Sequence, residues 1–221
     1  MSDIKLERRI VWLAALIQLA NVLDFMIILP LGPDLTKAID IPSSQMGLVG
    51  GIYTFAAAFS AMMFSKVLDR FDRKKAVLFF LTGLVISTFI TAFVWDSYSL
   101  LAARVLAGMF GGPVTALSLS MVIDMVPMAR RGRSMALVTS AFTVAAVFGI
   151  PIGLELALYS NWQMPFYVIS FFGAVVCLGV VVLLPSMTGH MATHHDQKSI
   201  SIFSMLKRSE IMLSYILFSL S

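Results

Sequence analysis

Residues 65–75 read SKVLDRFDRKK, and a long apolar run stands on each side of them. Within LDRFDRKK, residues 68–75, six of eight side chains are charged. Residues 41–64 upstream and 76–95 downstream contain no Asp, Glu, Lys or Arg. A helix needs about 20 apolar residues to cross roughly 30 Å of hydrocarbon. Two uncharged runs of that length joined by a short charged stretch read as two membrane spans and the turn between them. A nucleic-acid patch and a solvated surface loop are the competing readings of the cluster, and the rest of the chain decides among them.

The 221 residues are 59% hydrophobic and 13% charged, with a mean hydropathy of +0.91. Soluble domains are about 45–50% apolar and about 25% charged, so the chain reads as an integral membrane protein. Strands of a membrane barrel would show alternating segments of about 10 residues, and the pattern here is of longer continuous runs. Six spans are expected, at residues 11–32, 41–64, 76–95, 97–122, 135–159 and 162–184. They make an all-α six-helix transmembrane bundle over residues 1–184. A polar stretch at 185–210 reads as a cytoplasmic inter-domain loop. Residues 211–221 are apolar again but reach only about 16 Å as a helix, so they read as the truncated start of a seventh. The first run ends in polar LGPDLTK, residues 31–37, so a cleavable signal peptide is not expected.

The basic residues set the topology. The N-terminus holds Lys5, Arg8 and Arg9, and the second-to-third connection holds Lys66, Arg70, Arg73, Lys74 and Lys75. The fourth-to-fifth connection holds Arg130, Arg131 and Arg133, and the last polar stretch Lys198, Lys207 and Arg208. The opposite connections hold Lys37 alone, so 14 of the 16 Lys and Arg fall on one side. Positive charge marks the cytoplasmic side, which predicts a multi-pass plasma (inner) membrane protein with a cytoplasmic N-terminus. Topology accounts for the basic loops without nucleic acid, and the lipid bilayer is the first partner.

Ionisable groups inside spans are costly and default to functional candidates. Asp24 lies in the first span, with Asn21 and Gln18 three and six residues before it, on one helical face. Arg104 lies in the fourth span and Glu155 near the outer end of the fifth. At about 1.5 Å per residue, Asp24 and Arg104 fall at similar depth, roughly 12 and 10 Å from the outer ends of their helices. They are expected to pair. An arginine favours a charged carboxylate and burial favours a neutral one, a tension suited to a proton-binding site. A purely structural pair remains the alternative, and an interfacial carboxylate is the plainer reading of Glu155. Gly108 and Gly112 follow Arg104 at intervals of four; Ala141, Ala145, Gly149 and Gly153 repeat that spacing in the fifth span, with Pro151 between the last two. Small residues so spaced let helices approach closely, and Pro151 is expected to bend its helix. The second and fifth spans share a small-residue stretch, FAAAFSA against FTVAAVFG, a weak echo of a three-plus-three repeat.

The single cysteine, Cys177, reads as a small packed hydrophobe, and His190, His194 and His195 as a solvated loop. No metal-ligand spacing or nucleophile–base arrangement is evident, so neither a metal site nor an enzyme is expected. Phe25, Met26, Tyr53, Phe55, Phe110, Met121 and Phe142 are the apolar residues that could line a pocket.

These residues resemble the major facilitator superfamily of transporters. SKVLDRFDRKK is similar to the family's helix 2–3 loop, G-x-x-x-D-R-x-G-R-[RK]: Asp69, Arg70, Arg73 and Lys74 match, while Ser65 and Asp72 replace glycines. Arg104 with Gly108 resembles the helix 4 arginine motif. GIPIG, residues 149–153, resembles the antiporter pattern G-P-x-x-G with the proline one place late. MVPMARRGR, residues 125–133, resembles the helix 4–5 loop P-x-x-x-R-G, and LDFMIILP, residues 23–30, the first helix of drug and sugar exporters. Together they cover essentially the whole chain. The resemblance implies the N-terminal six-helix half of a twelve-helix proton-coupled exporter, with helices 1, 2, 4 and 5 lining a central cavity and helices 3 and 6 outside. It implies alternating access, a small-molecule substrate such as a drug or sugar, and a proton gradient as energy source with no bound cofactor. The partner would be the missing C-terminal six-helix half or a second copy. Asp69 would latch the outward-open state against a helix start in that other half, and a cytoplasmic charge network would join the 68–75 loop to Asp124, Arg130, Arg131 and Arg133. The alternative is a non-transporting six-helix membrane protein, or a degenerate half-transporter acting through a partner.

Overall fold

A computed structural model describes residues 2–68 and 72–184 of the protein. The polar inter-domain loop expected at 185–210 and the seventh helix expected at 211–221 lie outside the described residues, as do Asp69 and Arg70.

Among the described residues all regular structure is helical. The elements are α1 (Ser2–Ile27), α2 (Gly32–Ile39), α3 (Met46–Leu68), α4 (Arg73–Thr91), α5 (Ser97–Met125), α6 (Met128–Thr139), α7 (Ala141–Val144), α8 (Ile150–Tyr159) and α9 (Met164–Leu183), with a 3-10 turn at Ser43–Gln45 and a π-helical segment at Ala145–Gly149. Six stretches are long and apolar enough to cross a membrane: α1, α3, α4, α5, the segmented Met128–Tyr159, and α9. The protein is a multi-pass membrane protein.

The boundaries differ from the sequence expectation in three places. The first helix starts at Ser2 and ends at Ile27, where residues up to Gly32 were expected to continue it. Leu31, Gly32 and Pro33 instead open the separate helix α2, with proline at the start where its missing N–H costs nothing. Asp40 closes α2 in the left-handed region, φ 52°, which Asp tolerates better than most residues. The second span starts later, at Met46, because Ile41 and Pro42 precede the 3-10 turn. The fifth span is not one smooth helix. Pro151 has no N–H to give, and Ile150 donates to the Ala145 carbonyl five residues back, so the strain at the proline resolves as a π turn upstream of it.

Helix starts are set locally. Asp72, which replaces a motif glycine, is the N-cap of α4 and accepts from the Lys74 amide at 2.9 Å. Asp96 caps α5 in a capping box with Ser99: its carboxylate accepts from the Ser99 amide at 2.7 Å, and Ser99 Oγ accepts from the Asp96 amide at 3.1 Å.

The helices close on α5. Gly108 and Gly112 bring it against α3: a Cβ on Gly108 would strike the Tyr53 carbonyl oxygen, and one on Gly112 the carbonyl of Ala57. Gly149 and Gly153 bring the fifth span against α1 in the same way, facing Leu23 and Ile27. A core running through Ile17, Leu81, Ala107, Leu117 and Val180 joins α1, α4, α5 and α9. A second, around Ile28, Leu35, Leu100 and Phe166, seals the end opposite the N-terminus.

Candidate functional site

The polar ridge of α1 packs onto α5 rung by rung. Residues 18, 21 and 24 step by three along α1, and residues 104, 111 and 118 step by seven along antiparallel α5. At one end Ser118 donates to Gln18 Oε1 at 3.0 Å. In the middle Asn21 Nδ2 donates to the Gly111 carbonyl at 3.2 Å and to Thr115 Oγ1 at 2.7 Å. At the other end Arg104 Nη2 lies 3.3 Å from Asp24 Oδ1, and Nη1 lies 3.4 Å from Oδ2 and 3.3 Å from the Asp24 carbonyl. Gly111 permits this contact, since a Cβ there would collide with Asn21 and the Tyr53 hydroxyl.

Asp24 and Arg104 both have side chains of 0% exposure. Two ions taken out of water are tolerable only when they are paired and hydrogen-bonded. The remaining partners come from α4: Thr88 donates to Asp24 Oδ1 at 2.8 Å, and Arg104 Nη2 donates to Thr91 Oγ1. Arg104 Nε is buried with no hydrogen-bond partner. Its guanidinium carbon lies 6.0 Å from the Tyr53 ring centre and 5.9 Å from that of Phe166, within cation–π range.

Tyr53 links this pair to a cavity. Its hydroxyl donates to Asn21 Oδ1 at 3.0 Å. Asn21, Phe25, Tyr53, Thr54, Thr115 and Phe142 line a cavity of about 160 Å³ between α1, α3, α5 and α7. Of the apolar residues considered from sequence, Phe25, Tyr53 and Phe142 reach it. Phe110 packs instead against Phe79 and Phe80, Met121 is in the core, and Phe55 is 72% exposed.

The structure therefore brings Gln18, Asn21, Asp24 and Arg104 together, inside the bundle rather than on the open face of a cavity. Glu155 is apart from them, exposed on α8, with no described hydrogen bond or ion pair. Thr88, Thr91, Thr115 and Ser118 were missed. The signal was present in LVISTFIT, residues 84–91, where two threonines three apart interrupt an apolar run; the expectation that helix 3 stands outside hid it.

At the N-terminal end of the bundle the basic loops are tied down. Arg73 Nε pairs with Asp124 Oδ2 at 3.0 Å, joining the α4 start to the α5 end. Lys74 donates to the Val181 carbonyl at 2.8 Å in the last turn of α9, a favourable place for a cation. Arg130 pairs with Glu7 at 2.8 Å, and Arg131 Nε donates to the Val126 carbonyl at 2.8 Å. Arg133 is exposed. The described charge contacts include the ties of Arg73 to Asp124 and of Arg130 to Glu7.

Comparison with known proteins places this arrangement. The human organic anion transporter MFSD10 (TETRAN) is similar over 81% of this chain and 48% of its own, at 25% identity and a TM-score of 0.69. A bacterial homologue of the human lysosomal transporter Spinster, in an inward-facing unoccupied conformation, is similar over 82% of this chain and 44% of its own, at 18% identity and a TM-score of 0.70. The chain thus spans about half the length of these transporters, and the likeness points to a transporter rather than an enzyme. The family model of the Major Facilitator Superfamily matches residues 14–221. A match over most of the chain, on a bundle that superposes on half of each transporter, makes this protein a member of the major facilitator superfamily.

Proposed function

We propose that the bundle is the N-terminal half of a proton-coupled transporter that exports a small molecule, such as a drug or sugar, by alternating access, with Asp24 as the proton-binding carboxylate. The observation that carries this is the fully buried Asp24–Arg104 pair with an orphaned Arg104 Nε. Protonating Asp24 strips Arg104 of its counter-ion, and an unpaired buried charge costs several kcal/mol, on the order of 3–5. The neutral state therefore favours a different arrangement of α1, α4 and α5. A proton can become a conformational signal in this way.

The threonines suit both states. Thr88 Oγ1 is 2.8 Å from Asp24 Oδ1 and 2.8 Å from the Leu84 carbonyl. Its single proton serves the carboxylate when Asp24 is charged. When Asp24 is protonated, Thr88 can donate to Leu84 and accept from the acid. Arg104 has the Tyr53 and Phe166 rings to lean on.

Substrate enters this scheme through Tyr53 and Asn21, which belong both to the cavity wall and to the polar ridge. A small molecule that competes for either group disturbs the packing beside Arg104. The other six helices, from the rest of the polypeptide or from a second copy, would complete the site and supply the contact for Asp69. The basic end faces the cytoplasm in this reading.

The test is efflux from cells producing the full-length protein, across a panel of drugs and sugars, with and without a collapsed proton gradient. Gradient-dependent efflux that disappears in Asp24→Asn supports the proposal. Undiminished coupling in that variant overturns it.

A further inference from the structure

Residues 4–12 of α1 and residues 130–140, along and just past α6, enclose a groove of about 680 Å³ that the transport reading leaves unused. Arg8, Arg130 and Arg133 line one part of it, and Val11, Trp12 and Leu137 another. Glu7 is the acid in its wall, and Glu7 is committed to Arg130. Arg8 and Arg133 have no described hydrogen bond or ion pair, and both are exposed. The groove is therefore net cationic.

The start of α6 adds to this field. Pro127 at its N-cap offers no side-chain acceptor, and the first turn contains no acid. A helix N-terminus carries partial positive charge and is ordinarily met by an anion. Here arginines occupy that turn. The apolar side continues deeper along α1: Trp12 is 57% exposed and Leu16 is 36% exposed one turn further in. A second groove of about 430 Å³ shares Arg8 and Trp12, extending the basic rim around the tryptophan. Tryptophan prefers the level of the lipid headgroups.

A cationic rim above an apolar strip that descends into the membrane matches a ligand with an anionic head and a hydrocarbon tail. We propose that this groove binds an anionic glycerophospholipid, with Arg8 and Arg133 on the headgroup phosphate and Trp12 along the upper acyl chain. Basic pockets between membrane helices hold such headgroups, and a free phosphate would have no use for the apolar strip. The proposal needs the membrane placement of the bundle and is independent of the role of Asp24.

Trp12 is a local reporter, because the chain has three tryptophans and replacing Trp95 and Trp162 with phenylalanine leaves it alone. Its fluorescence is measured in phosphatidylcholine bilayers containing a minor fraction of brominated phosphatidylglycerol or brominated phosphatidylcholine. Each basic residue near an anionic surface contributes about fivefold to association. Phosphatidylglycerol is expected to quench Trp12 at an about twenty-five-fold lower fraction than phosphatidylcholine. Arg8→Gln/Arg133→Gln is expected to lose that preference, by about twenty-five-fold in relative association for the two arginines, while Lys37→Gln at the other end retains it. Equal quenching by the two lipids, or a preference that survives the double substitution, overturns the proposal. Loss of the preference to inorganic phosphate, but not to potassium chloride of equal ionic strength, also overturns it in favour of a free-anion site.

Discussion

Asp24 on α1 and Arg104 on α5 meet at 3.3 Å with no exposed side-chain surface on either. The pair lies where three helices converge, and its two extra partners, Thr88 and Thr91, come from a third. Neutralising one member leaves the other charged and buried. Asp24→Asn alone and Arg104→Gln alone should each destabilise the detergent-solubilised protein by about 3–5 kcal/mol. Asp24→Asn/Arg104→Gln should recover most of that loss, since a buried pair is worth little against a neutral replacement. A thermal-melt double-mutant cycle measures the coupling; additive losses would mean the two do not act as a pair.

Thr88 and Thr91 should matter more than their neighbour Ser87. Both threonines bond to an ionised group, and such bonds contribute about 1.5–3 kcal/mol. Ser87 bonds only to the backbone carbonyls of Gly83 and Leu84. Thr88→Val and Thr91→Val should therefore lower stability clearly, with Ser87→Ala costing less than about 1 kcal/mol. Equal losses at all three positions would assign the threonines to helix packing alone.

Two glycines should respond in opposite directions. A Cβ on Gly112 meets the Ala57 backbone, which cannot step aside without parting α3 from α5. Gly112→Ala should cost about 1–3 kcal/mol, the usual penalty of overpacking. Gly132 sits in α6 with nothing within 4 Å of an added Cβ. Gly132→Ala should gain up to about 1 kcal/mol from helix propensity. The melting temperatures of the two variants check the sign of each.

Acid should weaken the start of α5. Hydrogen bonds from Ser99 hold the Asp96 carboxyl below the usual carboxylate range. Its cap therefore stabilises the protein fully above the ordinary carboxylate pKa, and the benefit fades as pH falls through the lowered value. Asp96→Asn keeps an acceptor without a charge. The difference in melting temperature between wild type and Asp96→Asn should shrink on acidification from neutral pH, and a constant difference would contradict the assignment.

The spans, their alternation and the pairing of Asp24 with Arg104 were legible because each rests on a rule that operates along one helix or at one depth. Twenty apolar residues report a span wherever they occur, and two charges at matched depth in a bundle have few other partners. What was hidden depended on the rotation of one helix against another. Thr88 and Thr91 look like ordinary hydroxyls in an apolar run until α4 turns them toward α1 and α5. Phe110 and Phe142 are equivalent in sequence terms, yet one stacks on Phe79 and Phe80 while the other lines the cavity. Pro151 promised a bend, and the form it took, a π turn five residues long ahead of the proline, depends on how Gly149 and Gly153 seat against Leu23 and Ile27.

The central claim is that Asp24 takes up and releases a proton, and infrared difference spectroscopy across a pH titration reads that event without a substrate. The protein is held in lipid bilayers, and the carboxylic-acid carbonyl band is compared between wild type, Asp24→Asn and the charge-neutral double variant Asp24→Asn/Arg104→Gln. Over the background of the other carboxyls, the account predicts a component of that band that grows on acidification in the wild type and in Glu155→Gln and is missing from both Asp24 variants. Difference spectra that are identical in all of them would contradict the claim.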